Sequence, residues 1–186
     1  DADILIAAPE GISELSEKII SSLPRLKFIS LLTVGFNWVD IETAKKLNIP
    51  ISNVKGANSE SVAEHVWGMI LDLSKRISEF DHDIRNSGAF EFSNYKGHEV
   101  YGKTLGLIGT GDIGLKVARI ARGFNIRVFG INKSGKSVEG VELVDMNTLL
   151  AQSDIVNISI PLDDTTRNLI SKTQINIMKD GALLIN

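Results

Sequence analysis

The apolar run Leu105–Ile108 leads directly into Gly109-Thr110-Gly111-Asp112-Ile113-Gly114, a G-x-G-x-x-G turn. Ile113, Val117 and Ile120 then recur at helical spacing, and a second apolar run opens at Ile126. Few local patterns restrict a fold so tightly, because strand, tight turn, helix and returning strand follow one another within a single βαβ unit. Gly109 permits the tight turn, Gly111 lets a ligand approach the backbone, and Gly114 lets the helix pack closely on the strand. The helix amino terminus then presents N–H groups and the positive end of its dipole to phosphate. Gly109, Thr110, Gly111, Asp112, Ile113 and Gly114 are therefore the expected contacts of a dinucleotide. A plain glycine-rich turn is the alternative.

The residue that meets the adenine ribose sits at the end of the second strand, ~20 residues beyond the turn. Here that count lands on Asn132, followed by Lys133 and Ser134, with no carboxylate. An acid would repel a 2′-phosphate. Asn132 does not, Lys133 offers a positive charge and Ser134 a hydroxyl donor. The trio favours NADP and leaves NAD open. The competing view is a solvated turn whose polar residues are incidental.

Strand-like runs and helical patterns alternate along most of the chain. Strands are expected at Ile4–Ala7, Leu26–Leu32, Pro50–Asn53, Leu105–Ile108, Ile126–Ile131, Ile155–Ile160 and Ala182–Asn186, several as continuous β-branched runs suited to parallel strands covered on both faces. Asp40 is placed to cap a helix over Ile41–Leu47 that stops at Asn48 before Ile49-Pro50. Gly123 and Gly181 stand where left-handed carboxyl-terminal caps belong. The longest helix is expected from about Ser59 to about Arg85. Ser61 and Glu64 have capping-box spacing, with Asn58 as an equally good cap, and Val62, Val66, Met69, Ile70, Leu73 and Ile77 recur at helical spacing beside Trp67 and Phe80. An irregular connection over residues 86–100 follows. The fold class is α/β, with a Rossmann-type doubly wound parallel sheet.

The 186 residues carry a net charge of −3, which argues against a nucleic-acid surface, and no cysteine, which excludes disulfides and thiolate chemistry. No apolar run approaches the ~20 residues of a membrane span, so the expectation is a soluble, cytoplasmic protein. The opening "DADILIAA" and the closing "GALLIN" are both strand-like, which points to a fragment of a longer protein. A domain boundary is expected near Gly56.

Four stretches, "TVGFNWVDI", "GANSESVAEHV", "GKTLGLIGTGDIG" and "SDIVNISIPLDDTTRNLISKTQINIMKDGALLIN", resemble the D-isomer-specific 2-hydroxyacid dehydrogenases, whose relatives include glyoxylate and hydroxypyruvate reductases, phosphoglycerate dehydrogenase and formate dehydrogenase. The resemblance spans nearly the whole chain. It implies part of a flavodoxin-like α/β substrate domain over residues 1–56 and an NAD(P)-binding Rossmann domain over 57–186, incomplete at its carboxyl-terminal end. It also implies that Val34 and Gly35 hold a substrate carboxylate through backbone amides, and that Asn58 lies near the substrate. Ile160, Pro161 and Thr166 would line the cofactor further along. Such enzymes move a hydride between NAD(P)H and C2 of a 2-keto or 2-hydroxy acid, with an arginine on the carboxylate and a histidine paired with a glutamate as general acid–base.

Those three catalytic residues belong to segments after the strand that ends at Asn186, so no catalytic residue is assigned within the chain. None of His65, expected in a core or interface, His82, expected at a solvated helix position, and His98, in the connecting segment, has metal-ligand spacing with another. Asp163-Asp164 suits a loop or capping role better than a catalytic carboxylate pair. In the resembled family the long helix lies at a two-fold interface, which implies a homodimer, with packing on the protein's own sheet as the alternative. A dinucleotide-sensing corepressor on the same fold, or another Rossmann enzyme such as an adenosylhomocysteine hydrolase, are the competing functions.

Overall fold

The computed structural model describes residues 2–88, 93 and 96–186, which divide into two units, Asp1–Asn58 and Ser59–Asn186. In the first, β1 (Ile4–Ala7), β2 (Phe28–Leu31) and β3 (Ile51–Ser52) form a parallel sheet in the order β1-β2-β3. Helices α1 (Glu17–Ser21) and α2 (Ile41–Lys46) accompany it, and Leu15, Ile20, Ile29, Leu31 and Ala44 make its core. Asp40 caps α2 by accepting from the Thr43 N–H at 3.0 Å, as expected.

In the second unit, α3 (Ser59–Lys75) and α4 (Ile77–Ser87) precede β4 (Thr104–Ile108), α5 (Asp112–Ala121) and β5 (Arg127–Ile131). Then come β6 (Glu142–Leu143), α6 (Met146–Gln152), β7 (Ile155–Ile158), α7 (Lys172–Ile175) and β8 (Leu183–Ile185). All five strands run parallel in the order β6-β5-β4-β7-β8. Their side chains alternate between two covered faces, which is why the runs are apolar throughout rather than every second residue. Leu105, Leu107, Val128 and Ile155 pack with Trp67 and Ile70 of α3 and Val117 of α5. Ile108, Phe129 and Val156 face the other way and pack with Leu149 and Leu150 of α6.

The single helix expected over Ser59–Arg85 is two helices, broken at Arg76, whose backbone is left-handed at φ 56°. In a continuous helix the Ser78 N–H would bond the Ser74 carbonyl. Instead that carbonyl accepts from the His98 N–H at 2.7 Å, and Asp72 takes the Ser78 N–H at 2.7 Å and its hydroxyl at 2.9 Å. Helix α3 starts at Ser59, so the Ser61–Glu64 capping box is not used and Asn58 immediately precedes the helix. Leu73 and Ile77, expected on the apolar face, are exposed. Gly123 lies inside a 3-10 turn over Arg122–Phe124, and the left-handed residue that ends it is Asn125 at φ 54°. Gly181, at φ 76°, takes the expected left-handed conformation. Of the connection expected over 86–100, Asn86 and Ser87 end α4, 96–100 are irregular, and 89–92, 94 and 95 lie outside the described residues.

Asp154 fastens the amino ends of three strands. Its carboxylate accepts from the Thr104 N–H at 2.9 Å and from Lys179 Nζ at 3.0 Å, and its carbonyl accepts from the Leu183 N–H. Partial burial alone would raise its pKa, but the Thr104 N–H and the Lys179 ammonium outweigh it and hold the carboxyl below its ordinary value. A lowered folded-state pKa contributes stability above the unfolded value, and that contribution is lost as pH falls through the folded one. Asp154→Ala is therefore expected to cost about 1–2 kcal/mol at pH 7, a difference that shrinks below about pH 4. Urea unfolding at pH 7 and pH 3 checks this, and an undiminished difference in acid would rule out the charge as its source.

Candidate functional site

Strand β4 lies between β5 and β7, so the connections leave it in opposite directions. Where strand order reverses, the loops at the carboxyl ends part and leave a crevice. Gly109 to Gly114 occupy that point. Gly109 has φ 103°, and its N–H bonds the Ile131 carbonyl at 3.0 Å, joining the turn to the end of β5. Gly111 stands at the N-cap of α5, and no side chain caps the helix. The first-turn N–H groups of α5 have no intrahelical acceptors. A Cβ added at Gly111 would meet nothing within 4 Å, whereas one at Gly114 would collide with the Gly109 carbonyl oxygen. The turn is thus packed closely behind and open in front, an arrangement that accepts an anion at the helix end.

The segment after β5 is a closed hydrogen-bonded turn. Asn132 Nδ2 donates to Thr110 Oγ1 at 3.0 Å and to the Lys136 carbonyl at 3.1 Å, and Ser134 Oγ donates to Asn132 Oδ1 at 3.1 Å. The Asn132 amide therefore ties the glycine turn to the segment after β5. Lys133 extends the other way, donating to Thr165 Oγ1 at 3.2 Å and lying 3.8 Å from Asp163 Oδ2.

Ile160, Pro161 and Thr166 belong to the loop after β7. Ile160 is half-buried against the core and would crowd any Cβ at Gly109, while Pro161 is exposed. Thr166 Oγ1 donates to the Pro161 carbonyl at 2.7 Å and accepts from the Asp163 N–H at 2.8 Å, so its hydroxyl closes the loop. Asp163 has the expected turn-capping role, with Oδ1 accepting from the Thr165 N–H and hydroxyl and from the Thr166 N–H. Those bonds, the Thr165 hydroxyl foremost, hold its carboxyl below the ordinary carboxylate value, with Lys133 adding to the effect. Its approach to Lys133 has no signal in the sequence, because only the strand order brings the loops after β5 and β7 to the same edge.

In the first unit, Val34 and Gly35 follow β2 with both carbonyls occupied. Asn53 Nδ2 donates to Val34 O at 2.7 Å, and Thr33 Oγ1 and Trp38 Nε1 donate to Gly35 O at 2.7 and 3.2 Å. The Val34 and Gly35 N–H groups have no hydrogen-bond partner among the described residues. Asn58 ends the unit and is exposed.

His65 is exposed on α3, which corrects the core placement. His82, also exposed, lies 2.8 Å from Asn86 Nδ2, and His98 is exposed beyond the helix break. Among the described residues no group of three or more His, Asp or Glu could hold a metal ion. Trp67 is buried in its own unit, donates to the Val117 carbonyl at 3.0 Å and stacks on Phe124 with centroids 4.9 Å apart, so it offers no surface to a partner. Concavities of about 360 Å³ beside Ile41 and Ile51, and about 260 Å³ at the amino ends of β4, β7 and β8, both exclude the glycine turn.

A family model described as the D-isomer-specific 2-hydroxyacid dehydrogenase NAD-binding domain matches residues 67–186. A glyoxylate reductase of Aeropyrum pernix is 36% identical over 178 residues, covering 90% of this chain and 53% of that protein. Among solved structures, D-lactate dehydrogenase from Aquifex aeolicus complexed with NAD and lactic acid has a TM-score of 0.88 and 31% identity, covering 100% of this chain and 56% of that one. An acyclic imino acid reductase in complex with NADPH and D-Arg has a TM-score of 0.85 and 30% identity, covering 98% and 58%. The chain thus spans about half the length of these relatives. No described helix is long and apolar enough to cross a membrane.

Proposed function

The chain belongs to the D-isomer-specific 2-hydroxyacid dehydrogenases, and from that membership we propose that the full-length protein transfers a hydride between NAD(P)H and a small 2-keto or 2-hydroxy acid of the glyoxylate, hydroxypyruvate or phosphoglycerate type. The observation that carries the reading is the uncapped amino terminus of α5, set over Gly109–Gly114 at the strand-order reversal. Gly109, Thr110, Gly111, Asp112, Ile113 and Gly114 hold the pyrophosphate, and Ile160, Pro161 and Thr166 line the cofactor further along. Residues 57–186 form the cofactor domain. Residues 1–56 contribute to the substrate domain, where the N–H groups of Val34 and Gly35 receive the substrate carboxylate and Asn58 lies nearby. The arginine and the histidine–glutamate pair that complete the chemistry belong to segments beyond Asn186. The relatives reported above are enzymes by name and lend the corepressor reading no support.

NADP is the preferred cofactor in this proposal, since Asn132, Lys133 and Ser134 place a cation and a hydroxyl where a carboxylate would exclude the 2′-phosphate. The relatives leave the choice open, one being a complex with NADPH and one with NAD. The protein works in the cytoplasm as a homodimer formed through the cofactor domain, a surface for which exposed Leu73 and Ile77 are available. Fluorescence titration of the full-length protein, followed by a panel of 2-keto acids, tests the proposal. NADPH is expected to bind more tightly than NADH. Raising the salt concentration is expected to weaken NADPH more than NADH, because Lys133 is exposed and its contact is screened. Equal or tighter NADH binding refutes the cofactor preference, and no turnover of any 2-keto acid refutes the reaction.

A further inference from the structure

Asp163 does two separable things. One oxygen, Oδ1, makes all three capping bonds of the loop after β7, to the Thr165 N–H, the Thr165 hydroxyl and the Thr166 N–H. The other, Oδ2, is left to Lys133 Nζ at 3.8 Å, and the same ammonium donates to Thr165 Oγ1 at 3.2 Å. The lysine follows β5 and the aspartate follows β7, the two strands that flank β4 and its glycine turn. A contact between them bridges the two loops beside which the adenosine half of a dinucleotide would lie. No acid stands at the end of β5, yet a carboxylate reaches that neighbourhood from across the crevice. Its turn bonds, the Thr165 hydroxyl foremost, hold its carboxyl below the ordinary carboxylate value.

We propose that Asp163 is a positioning residue for cofactor selectivity, holding Lys133 across the crevice and so restraining the protein's preference for a 2′-phosphorylated dinucleotide. The inference rests on the reading of Asn132–Ser134 as the ribose-selecting turn. A 2′-phosphate must draw Lys133 away from Asp163 to pair with it. A dinucleotide with a free 2′-hydroxyl brings no such competition. Both side chains are largely exposed, at 80% for Lys133 and 48% for Asp163, so the restraint is modest.

The variant Asp163→Asn tests it in the full-length protein, because an asparagine Oδ1 can keep all three capping bonds while the charge is lost. NADPH is expected to bind roughly threefold to fivefold more tightly than to the unmodified protein, with NADH changed less than about twofold. The gain should shrink as salt rises, and 2′,5′-ADP should show the same gain where AMP shows none. In a Lys133→Met background Asp163→Asn should change neither affinity, a pattern that a purely structural role of Asp163 would not give. An unchanged NADPH affinity overturns the proposal. A gain of equal size without Lys133 overturns it too, since Asp163 would then act on the phosphate directly. Failure of the proposed cofactor preference is seen separately: an unmodified protein that binds NADH more tightly refutes the preference for NADPH, and Asp163→Asn should still move the ratio toward NADPH as long as Lys133 meets the 2′-phosphate. A protein that binds neither dinucleotide refutes both.

Discussion

Alanine in place of Gly109 is expected to destabilise the second unit by about 3–5 kcal/mol, while alanine at Gly111 leaves stability within about 1 kcal/mol and still removes most dinucleotide affinity. The two glycines stand two residues apart and serve opposite ends. Gly109 holds φ at 103°, a region that side-chain-bearing residues rarely adopt. A Cβ there would lie 2.5 Å from the Ser159 carbonyl oxygen and 2.6 Å from Ile160 Cγ2. Backbone strain and overpacking therefore add, and the obstacle includes the main chain of the next loop, which cannot move without disturbing the end of β7. Gly111 has φ −80° and ψ −166°, ordinary for alanine, with no atom near its Cβ position. The open space there faces the helix end, where the pyrophosphate would approach, so a methyl group falls between ligand and N–H groups. Thermal unfolding followed by circular dichroism, paired with NADPH titration, separates the two effects. Loss of fold at Gly111→Ala, or NADPH affinity there within about twofold of the unmodified protein, would contradict this division of labour.

The same contrast explains how far the sequence could be read. Strand β4, the glycine turn, α5 and β5 are legible because each is set by neighbours within a few residues. Glycine spacing fixes the turn, and the positions of Ile113, Val117 and Ile120 fix the buried side of the helix. The break at Arg76 is not legible. No glycine or proline marks it, and it exists because residue 98 returns to take a carbonyl that α3 would otherwise use. Asn125 rather than Gly123 takes the left-handed turn, since Arg122–Phe124 winds on as a 3-10 turn before the chain reverses. Helices α1, α6 and α7 are too short to show a convincing period. Yet α7 carries a usable signal in Ser171 and Gln174, which form a reciprocal capping box. The site divides likewise. Asn132, Lys133 and Ser134 follow from counting along one βαβ unit, whereas the meeting of Lys133 with Asp163 and Thr165 requires knowing that β5 and β7 flank the same strand.

Replacing Asn132 with aspartate and Lys133 with alanine together is expected to weaken NADPH on the order of a hundredfold relative to NADH. The two changes contribute unequally. Lys133 is 80% exposed and already engaged by Asp163 and Thr165, so its loss alone should account for no more than about fivefold. The new carboxylate does the rest, because it sets a like charge against the 2′-phosphate at a half-buried position. The substitution also has a structural cost. Asn132 Nδ2 donates to both Thr110 Oγ1 and the Lys136 carbonyl, and a carboxylate can donate to neither. The Thr110 hydroxyl can turn to donate instead, and Ser134 can still donate to position 132, but the Lys136 carbonyl is left facing a negative charge. The turn after β5 should therefore loosen, and NADH should gain little in absolute affinity even as the ratio reverses. Titrating both single variants and the double variant with each dinucleotide resolves the contributions. If Lys133→Ala alone produces most of the shift, the selector is the cation rather than the missing acid. If the double variant keeps the original ratio, the turn after β5 does not meet the ribose, and the choice between dinucleotides is made elsewhere in the protein.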